Sequence, residues 1–418
     1  MERNSDRMDL IVVGAGAAGL FAAVTAAENG LKVMIIERNN RIGKKLAITG
    51  KGRCNVTNAS SPEDILKNIP RNSRFLFSSI YGFTPENTMA FFERNGCPLK
   101  VERGNRVFPV SDKSADIISV FSRLLKQHRI QVVEARVTGL LHKNRKLIGV
   151  QTDHGNYHAF SVLLATGGAS YPLTGSTGDG YRIAMEVGHT VCEPSGSLVP
   201  LNSSAECGKL QGLSLRNTEL RLVDKKGKVV FKDFGELLFT HFGLSGPMAL
   251  SASAHLKAGQ EYRILLDLKP ALDEAKLDGR FLRDFECYSN RSMENALADL
   301  YPHSMIPVIL EKAGIPLELR AHSLTKIQRR ELLRVTKNFE LPVHGTRPVE
   351  EAIITRGGIN VKEIDPKTME SRLLSGLYFA GEIIDCDAYT GGYNLQIAWS
   401  TAYAAAIGCS ERLKQDYE

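Results

Sequence analysis

LIVVGAGAAGLFAAVTAAE, residues 10–28, governs how the rest of the chain is read. Its apolar start reads as a buried strand, the glycines as a turn, and the alanine-rich run as the opening of a helix. Gly14, Gly16 and Gly19 are spaced as in a dinucleotide-binding fingerprint. Gly14 allows the tight turn, Gly16 lets the backbone approach a pyrophosphate, and Gly19 lets the helix pack closely on the strand. Ala15, Ala17 and Ala18 complete the cofactor-facing turn. The helix N-terminus then offers unpaired N–H groups and the positive end of its dipole to phosphates. A second strand, residues 32–36, ends at Glu37, where a carboxylate can accept both hydroxyls of an adenosine ribose, with Arg38 beside it. A GxGxxG on its own is weak evidence. Strand before, helix after and an acid at the right offset make it a dinucleotide site.

The chain has 418 residues, enough for two or three domains and a large core. An apolar fraction of 43% and a charged fraction of 24% are those of an ordinary globular protein. No segment resembles a signal peptide, and the apolar stretch 397–407 is too short to cross a bilayer. Seven scattered cysteines (54, 97, 192, 207, 287, 386 and 409) show no CxxC or His/Cys ligand spacing. Free thiols in a reducing cytoplasm are the simplest account, and no metal site is expected. The net charge of +7 permits an anionic partner without requiring one.

The expected organisation is discontinuous. Residues 1–194 form the first part of a cofactor-binding domain and 346–418 its second part. Residues 195–271 with 320–345 form an inserted β-rich domain, and 272–319 a helical insert within it. In the first part, Thr84-Pro85-Glu86 reads as N-cap, first-position proline and first-turn acid of a helix ending at Gly96. A further helix is expected over about 114–128. Short strands at 130–135, 137–142, 147–152 and 157–160 suggest a meander, and 161–166 a buried strand returning to the main sheet. The last strand, 377–380, leads into Gly381-Glu382 and a final helix.

GLYFAGE, residues 376–382, looks like the second half of the cofactor site. In FAD enzymes of the glutathione-reductase type, a late strand ends in a Gly-(Asp/Glu) pair that meets the ribityl chain and pyrophosphate. The next helix, opened here by Gly391-Gly392-Tyr393-Asn394-Leu395-Gln396, then points its N-terminus at the flavin. Its dipole would stabilise negative charge on the reduced ring.

Several longer blocks are more specific: GKKLAITGKGRCNVTN (43–58), RVFP (106–109), LATGGASYP (164–172), TGSTGDGY (174–181), GELLFTHFGLSGP (235–247) and the C-terminal block through Gln396. With them the chain resembles, nearly end to end, the BaiN/RdsA-type flavoproteins, also labelled aminoacetone-oxidase-family FAD-binding enzymes or NAD(FAD)-utilising dehydrogenases. The resemblance implies an α/β fold. A two-dinucleotide-binding, glutathione-reductase-like FAD domain would carry an inserted β-barrel-like domain with a helical subdomain. It implies tightly bound FAD and flavin-dependent reduction, with members acting on carbon–carbon double bonds. One branch forms dihydrouridine in ribosomal RNA; another is linked to bile-acid intermediates. The cofactor-binding set expected on this basis also takes in Asn55, Val137, Ala165, Thr166, Gly167, Asp385, Gly392, Asn394 and Leu395.

Within block 43–58, Lys44, Lys45, Lys51 and Arg53 suit a pyrophosphate or the flavin pyrimidine edge, or else form a basic surface loop. Cys54, beside Arg53, can donate a proton to a carbon α to a carbonyl, with the arginine lowering its pKa; burial as a small hydrophobe is the alternative. Tyr171, Thr177 and Asp179 are expected by the cofactor or as plain turn residues. His241 is a proton-relay or structural histidine, and Tyr389 and Tyr393 stack on a substrate, hydrogen-bond its carbonyl or simply pack. No second GxGxxG follows a strand, so an NAD(P)H donor must visit the flavin transiently and alternate with substrate. Lys326, Arg330, Arg334 and Lys337 recur at near-helical spacing, a cationic stripe for RNA phosphates or a solvated face. The leading expectation is an FAD-dependent reductase of a conjugated C=C, uridine in ribosomal RNA with NAD(P)H as donor. The competitors are a small-molecule enone reductase or amine oxidase, and a non-catalytic FAD-containing scaffold.

Overall fold

The computed structural model describes residues 7–257 and 259–417. They separate into two compact units. One takes in the chain up to Ser197 and again from Val349; the other is Leu198–Pro348. The seams thus fall at 198 and 349, against the expected 195 and 346.

The first unit is built on five parallel strands in the order Gln131–Glu134, Val33–Glu37, Met8–Val13, Gly155–Leu164, Leu377–Phe379. Leu10 pairs with Val33 on one side and Ser161 on the other, so the fingerprint strand is central and its apolar run is buried on both faces. The helix Ala17–Glu28 has no polar face near its start and is buried over Ala18–Ala26. It packs with the final helix, Tyr393–Tyr417, whose Trp399 is completely buried among Phe21, Phe92 and Phe121.

Two strand readings need correction. Residues 131–134 belong not to the meander but to the parallel sheet, paired with Val33–Glu37. The pieces 157–160 and 161–166 are one strand, Gly155–Leu164. Its first half pairs antiparallel with Lys146–Thr152 and its second half parallel with Met8–Val13. The helices follow their caps: Pro85–Arg94 starts at a Thr84/Asn87 capping box, and Ser114–Gln127 lies where the periodicity put it. Beside the sheet, strands Val191–Ser197 and Ile354–Ile359 form an antiparallel ribbon in which Ser197 faces Ile354.

The second unit carries a seven-stranded antiparallel sheet whose path begins at Phe339–Val343 and ends at Gly345–Thr346. The two outermost strands are separated only by His344, so the sheet curls back on itself in barrel fashion. Helices Glu274–Cys287, Met293–Ala296 and Ile306–Lys312 fall within the expected helical insert. A fourth, Lys326–Lys337, lies in the segment assigned to the β-rich part, started by a capping box between Thr325 and Gln328. The helical stretch therefore runs to Lys337 rather than 319. No helix among the described residues is long and apolar enough to cross a membrane.

Candidate functional site

One cavity of the first unit, about 1410 Å³ including its open mouth, draws its wall from both ends of the chain. Gly14–Ala18, Glu37, Arg38, Lys44 and Lys45 come from the N-terminal part. Val137, Ala165, Thr166 and Gly167 come from the middle, and Gly381, Glu382, Asn394 and Leu395 from the C-terminal part.

The fingerprint glycines divide their tasks as their geometry requires. Gly14 has φ +103°, and a Cβ there would sit 2.6 Å from the Ala165 carbonyl oxygen. At Gly19 a Cβ would come within 1.9 Å of the Gly14 carbonyl oxygen, so this glycine serves packing and is absent from the wall. At Gly16 nothing lies within 4 Å, and the space opens toward the cavity. Glu37, nearly buried at the end of its strand, is held by the turn. Ala15 N donates to Oε2 at 2.7 Å, and Asn39 N and Nδ2 donate to Oε1 at 2.8 and 2.7 Å.

On the opposite wall, Lys45 Nζ donates to Glu382 Oε2 at 2.7 Å and to Ser170 Oγ at 2.8 Å. Glu382 Oε1 accepts from Thr355 N at 2.8 Å and Ser170 Oγ at 3.0 Å. Both carboxylate oxygens are therefore engaged by protein groups, with Lys45 and Glu382 side chains 20% and 14% exposed. Asn394, in the first turn of the final helix, accepts from Ala388 N and donates to Ala388 O, both at 2.8 Å, which fixes the preceding loop. Gln396, fully buried, accepts from Thr57 and Thr88 hydroxyls and donates to Phe83 O, tying block 43–58 to that helix.

These residues fit a bound dinucleotide. The glycine that must admit phosphate faces open space. Thr166 Oγ1 is buried without a hydrogen-bond partner in the wall. The first turns of two helices meet the same cavity, a suitable place for anionic groups.

Several expected site residues lie elsewhere. Arg53 is not at the cavity: it pairs with Glu102 and Asp112 and lies 4.1 Å over the Phe108 ring, so its charge is spent in a surface ion cluster. Cys54 is completely buried, outside the wall, with φ +59°. Burial pushes its thiol up to about 12, the reverse of the arginine-lowered pKa expected. It is a packed thiol, not an acid facing substrate. Asn55 also lies outside the wall, its Oδ1 buried without a hydrogen-bond partner. Asp385 turns to Arg71 and Asn72, while its neighbour Cys386 lines the cavity. Tyr171 sits in the left-handed region and caps a turn through its carbonyl. Gly392 packs on the Thr57 carbonyl, and the Tyr393 ring packs over Gly391, half-buried and away from the wall. His241 is an exposed tip residue of the second unit, edge-on to Phe242.

The cationic stripe is also corrected. On the helix Lys326–Lys337, Lys337 is largely buried and paired with Asp267, and Arg334 pairs with Glu331. Lys326 and Arg330 alone of the four are exposed with no ion pair among the described residues. Sequence reasoning missed Asn39, Thr49, Arg136 and Cys386 in the wall. Asn39 carried a faint signal, two residues beyond the ribose acid; Thr49 and Cys386 lie inside the quoted blocks without having been singled out, and Arg136 is brought in by tertiary contacts.

Known proteins resemble this chain along most of its length. The model of the HI0933-like protein Rossmann domain matches residues 8–408. A 3-dehydro-bile acid delta(4,6)-reductase of Clostridium scindens is 30% identical over 96% of this chain and 98% of its own length. A ribosomal RNA dihydrouridine synthase of Haemophilus influenzae is 29% identical over the same shares. Among solved structures, 3-ketosteroid delta1-dehydrogenase from Sterolibacterium denitrificans superposes with a TM-score of 0.53 at 14% identity, covering 97% of this chain and 100% of that one, which speaks for the fold alone. The chain therefore belongs to the HI0933-like Rossmann family, the BaiN/RdsA type, and is an FAD-dependent oxidoreductase.

Proposed function

We propose that this protein reduces a carbon–carbon double bond conjugated to a carbonyl, and that its substrate is a uracil ring in ribosomal RNA, with NAD(P)H as electron donor. The observation that carries the reading is the full-length likeness to ribosomal RNA dihydrouridine synthases, 29% in Haemophilus influenzae and 28% in Escherichia coli, joined to a cavity built for FAD. FAD, when bound, supplies the two-electron carrier. The chain's residues supply the rest. Gly14–Ala18 would receive the phosphates, Glu37 the ribose and the first turn of the final helix the flavin ring, while Lys45 with Glu382 keeps a compensated charge pair in the wall. Of the groups able to exchange protons, Glu37, Lys44, Lys45, Asp179, Glu382 and Cys386 line the cavity, whereas Cys54 does not. Cys386 stays a neutral thiol, because burial and the flanking Asp385 and Asp387 raise its pKa well above the usual value.

The donor has no domain of its own in this reading, so it and the substrate use the flavin in turn. Mass spectrometry of ribosomal RNA nucleosides from a deletion strain tests the substrate: dihydrouridine should disappear from one site and return with the wild-type gene. Unchanged RNA refutes that substrate.

A small-molecule enone is the second reading. It is favoured by the bile-acid reductase relative at 30% identity and by the charge compensation of the helix Lys326–Lys337. Turnover of a soluble enone by the purified protein with NADPH, without RNA, would establish it.

A further inference from the structure

Asp179 opens the helix Asp179–Glu186, and two arginines from separate parts of the first unit share its carboxylate. Arg136 Nε and Nη2 donate to Oδ2 and Oδ1 at 3.0 and 3.1 Å, a two-pronged contact. Arg38 Nη1 donates to Oδ2 at 3.2 Å and to Thr177 Oγ1 at 2.7 Å. Beside them Asn39 Nδ2 donates to both Glu37 Oε1 at 2.7 Å and the Thr174 carbonyl at 3.2 Å. The turn 174–179 is thereby sewn at two points to the residues that follow Glu37, and at a third to the link between strands Gln131–Glu134 and Val137–Lys143.

Arg38, Asn39, Arg136, Thr174, Gly175 and Asp179 all line the cavity, at the end that holds Glu37. The turn itself depends on these ties. Gly175 and Gly178 take left-handed backbone, Thr177 is exposed, and its ties are polar rather than apolar. The arginine side chains are 36% and 51% exposed and Asp179 is 22% exposed, so the node sits at the solvent edge. Ion pairs so placed are individually weak and sensitive to salt. They suit a fastening that opens and recloses rather than a permanent strut.

We propose that Arg38, Arg136 and Asp179 form a clasp over the adenosine end of the FAD site and set the rate at which the cofactor leaves. This rests on the reading that the cavity holds FAD with its ribose at Glu37. The test is FAD release from diluted holoenzyme, followed by the recovery of flavin fluorescence. Asp179→Asn, which breaks both ion pairs, should release FAD about 2–30-fold faster, and Arg136→Gln, which breaks one, about 1.5–5-fold faster. The double variant should be little faster than the faster single, because both break one node. Asp179→Glu should restore much of the retention, and 1 M salt should speed release from the wild type more than from Asp179→Asn. Wild-type release by Asp179→Asn, with faster release by Glu37→Ala, overturns the clasp but leaves the site in place. Wild-type release by Glu37→Ala as well overturns the cofactor reading. An apoprotein melting point for Asp179→Asn depressed as far as that of the holoprotein also overturns the clasp, since the carboxylate would then serve the fold.

Discussion

Alanine placed at Gly19 and at Gly16 separates fold from cofactor. At Gly19 the new Cβ lies 1.9 Å from the Gly14 carbonyl oxygen and 3.2 Å from a Val12 methyl. Ordinary C···O contacts begin at about 3.3 Å, so the helix must retreat from the strand by more than ~1 Å. Core overpacking costs about 1–3 kcal/mol, and the upper end applies here because the obstacle is backbone that cannot change rotamer. Alanine returns about 1 kcal/mol of helix propensity. The net loss is about 2 kcal/mol, roughly 3–4 °C in melting temperature for a unit of this size, and should appear in the apoprotein. Gly16 is the opposite case. Its φ is −83° and its Cβ meets nothing, so Gly16→Ala should leave apoprotein melting unchanged. Its methyl would instead hold a phosphate away from the turn. Losing one charge-assisted hydrogen bond, worth about 1.5–3 kcal/mol, weakens FAD binding roughly 10–150-fold. Differential scanning calorimetry of both apoproteins and flavin titration of Gly16→Ala decide the matter. Wild-type FAD affinity in Gly16→Ala, or equal melting losses in both apoproteins, would refute the assignment.

Three further outcomes follow from the geometry. His189 is buried, with Nδ1 3.1 Å from Glu363 Oε2 and Nε2 2.8 Å from Ser371 Oγ; burial, only partly opposed by Glu363, lowers its pKa. Below the ordinary histidine pKa the unfolded chain binds a proton that the folded chain does not, so stability should fall as pH drops from 7 toward 5; His189→Gln should flatten that slope in pH-dependent melting, and an unchanged slope would count against it. Cys54→Ala should keep turnover within about twofold, because a packed thiol raised to about 12 donates no proton to substrate; loss of turnover in a normally folded variant would reinstate Cys54 as an acid. Lys337→Ala should cost about 3 kcal/mol or more in denaturant melts by stranding Asp267, whereas Arg330→Ala should leave stability alone and, if RNA binds there, reduce the salt slope of binding by about one.

Much of the first unit was legible because its signals are local. Glycine spacing, the Thr84 cap, and the apolar runs 10–13 and 162–164 each announce an element without reference to distant residues. Sheet membership was not local. Residues 131–134 are mostly exposed and resemble a meander strand, and only pairing with Val33–Glu37 assigns them to the parallel sheet. The site divides in the same way. Gly14–Ala18, Glu37, Lys45 and Glu382 declared themselves by motif. Arg53 misled because its partners, Glu102 and Asp112, lie some fifty residues further along, outside any motif it belongs to. Lys337 misled because helical spacing places it on a face without saying that Asp267 waits there.

The ribbon of Val191–Ser197 against Ile354–Ile359 has a bearing on how such an enzyme diversifies. With Ser197 opposite Ile354, the first unit releases the chain and takes it back at neighbouring strand ends, about 5 Å apart by ordinary strand spacing. Topologically, everything between 198 and 348 is a hairpin loop grown to the size of a domain. Evolution can therefore rebuild that excursion without re-registering a single strand that grips the flavin. Relatives named for a bile acid and for ribosomal RNA are what such an architecture permits: one inherited redox unit with an excursion free to vary in sequence.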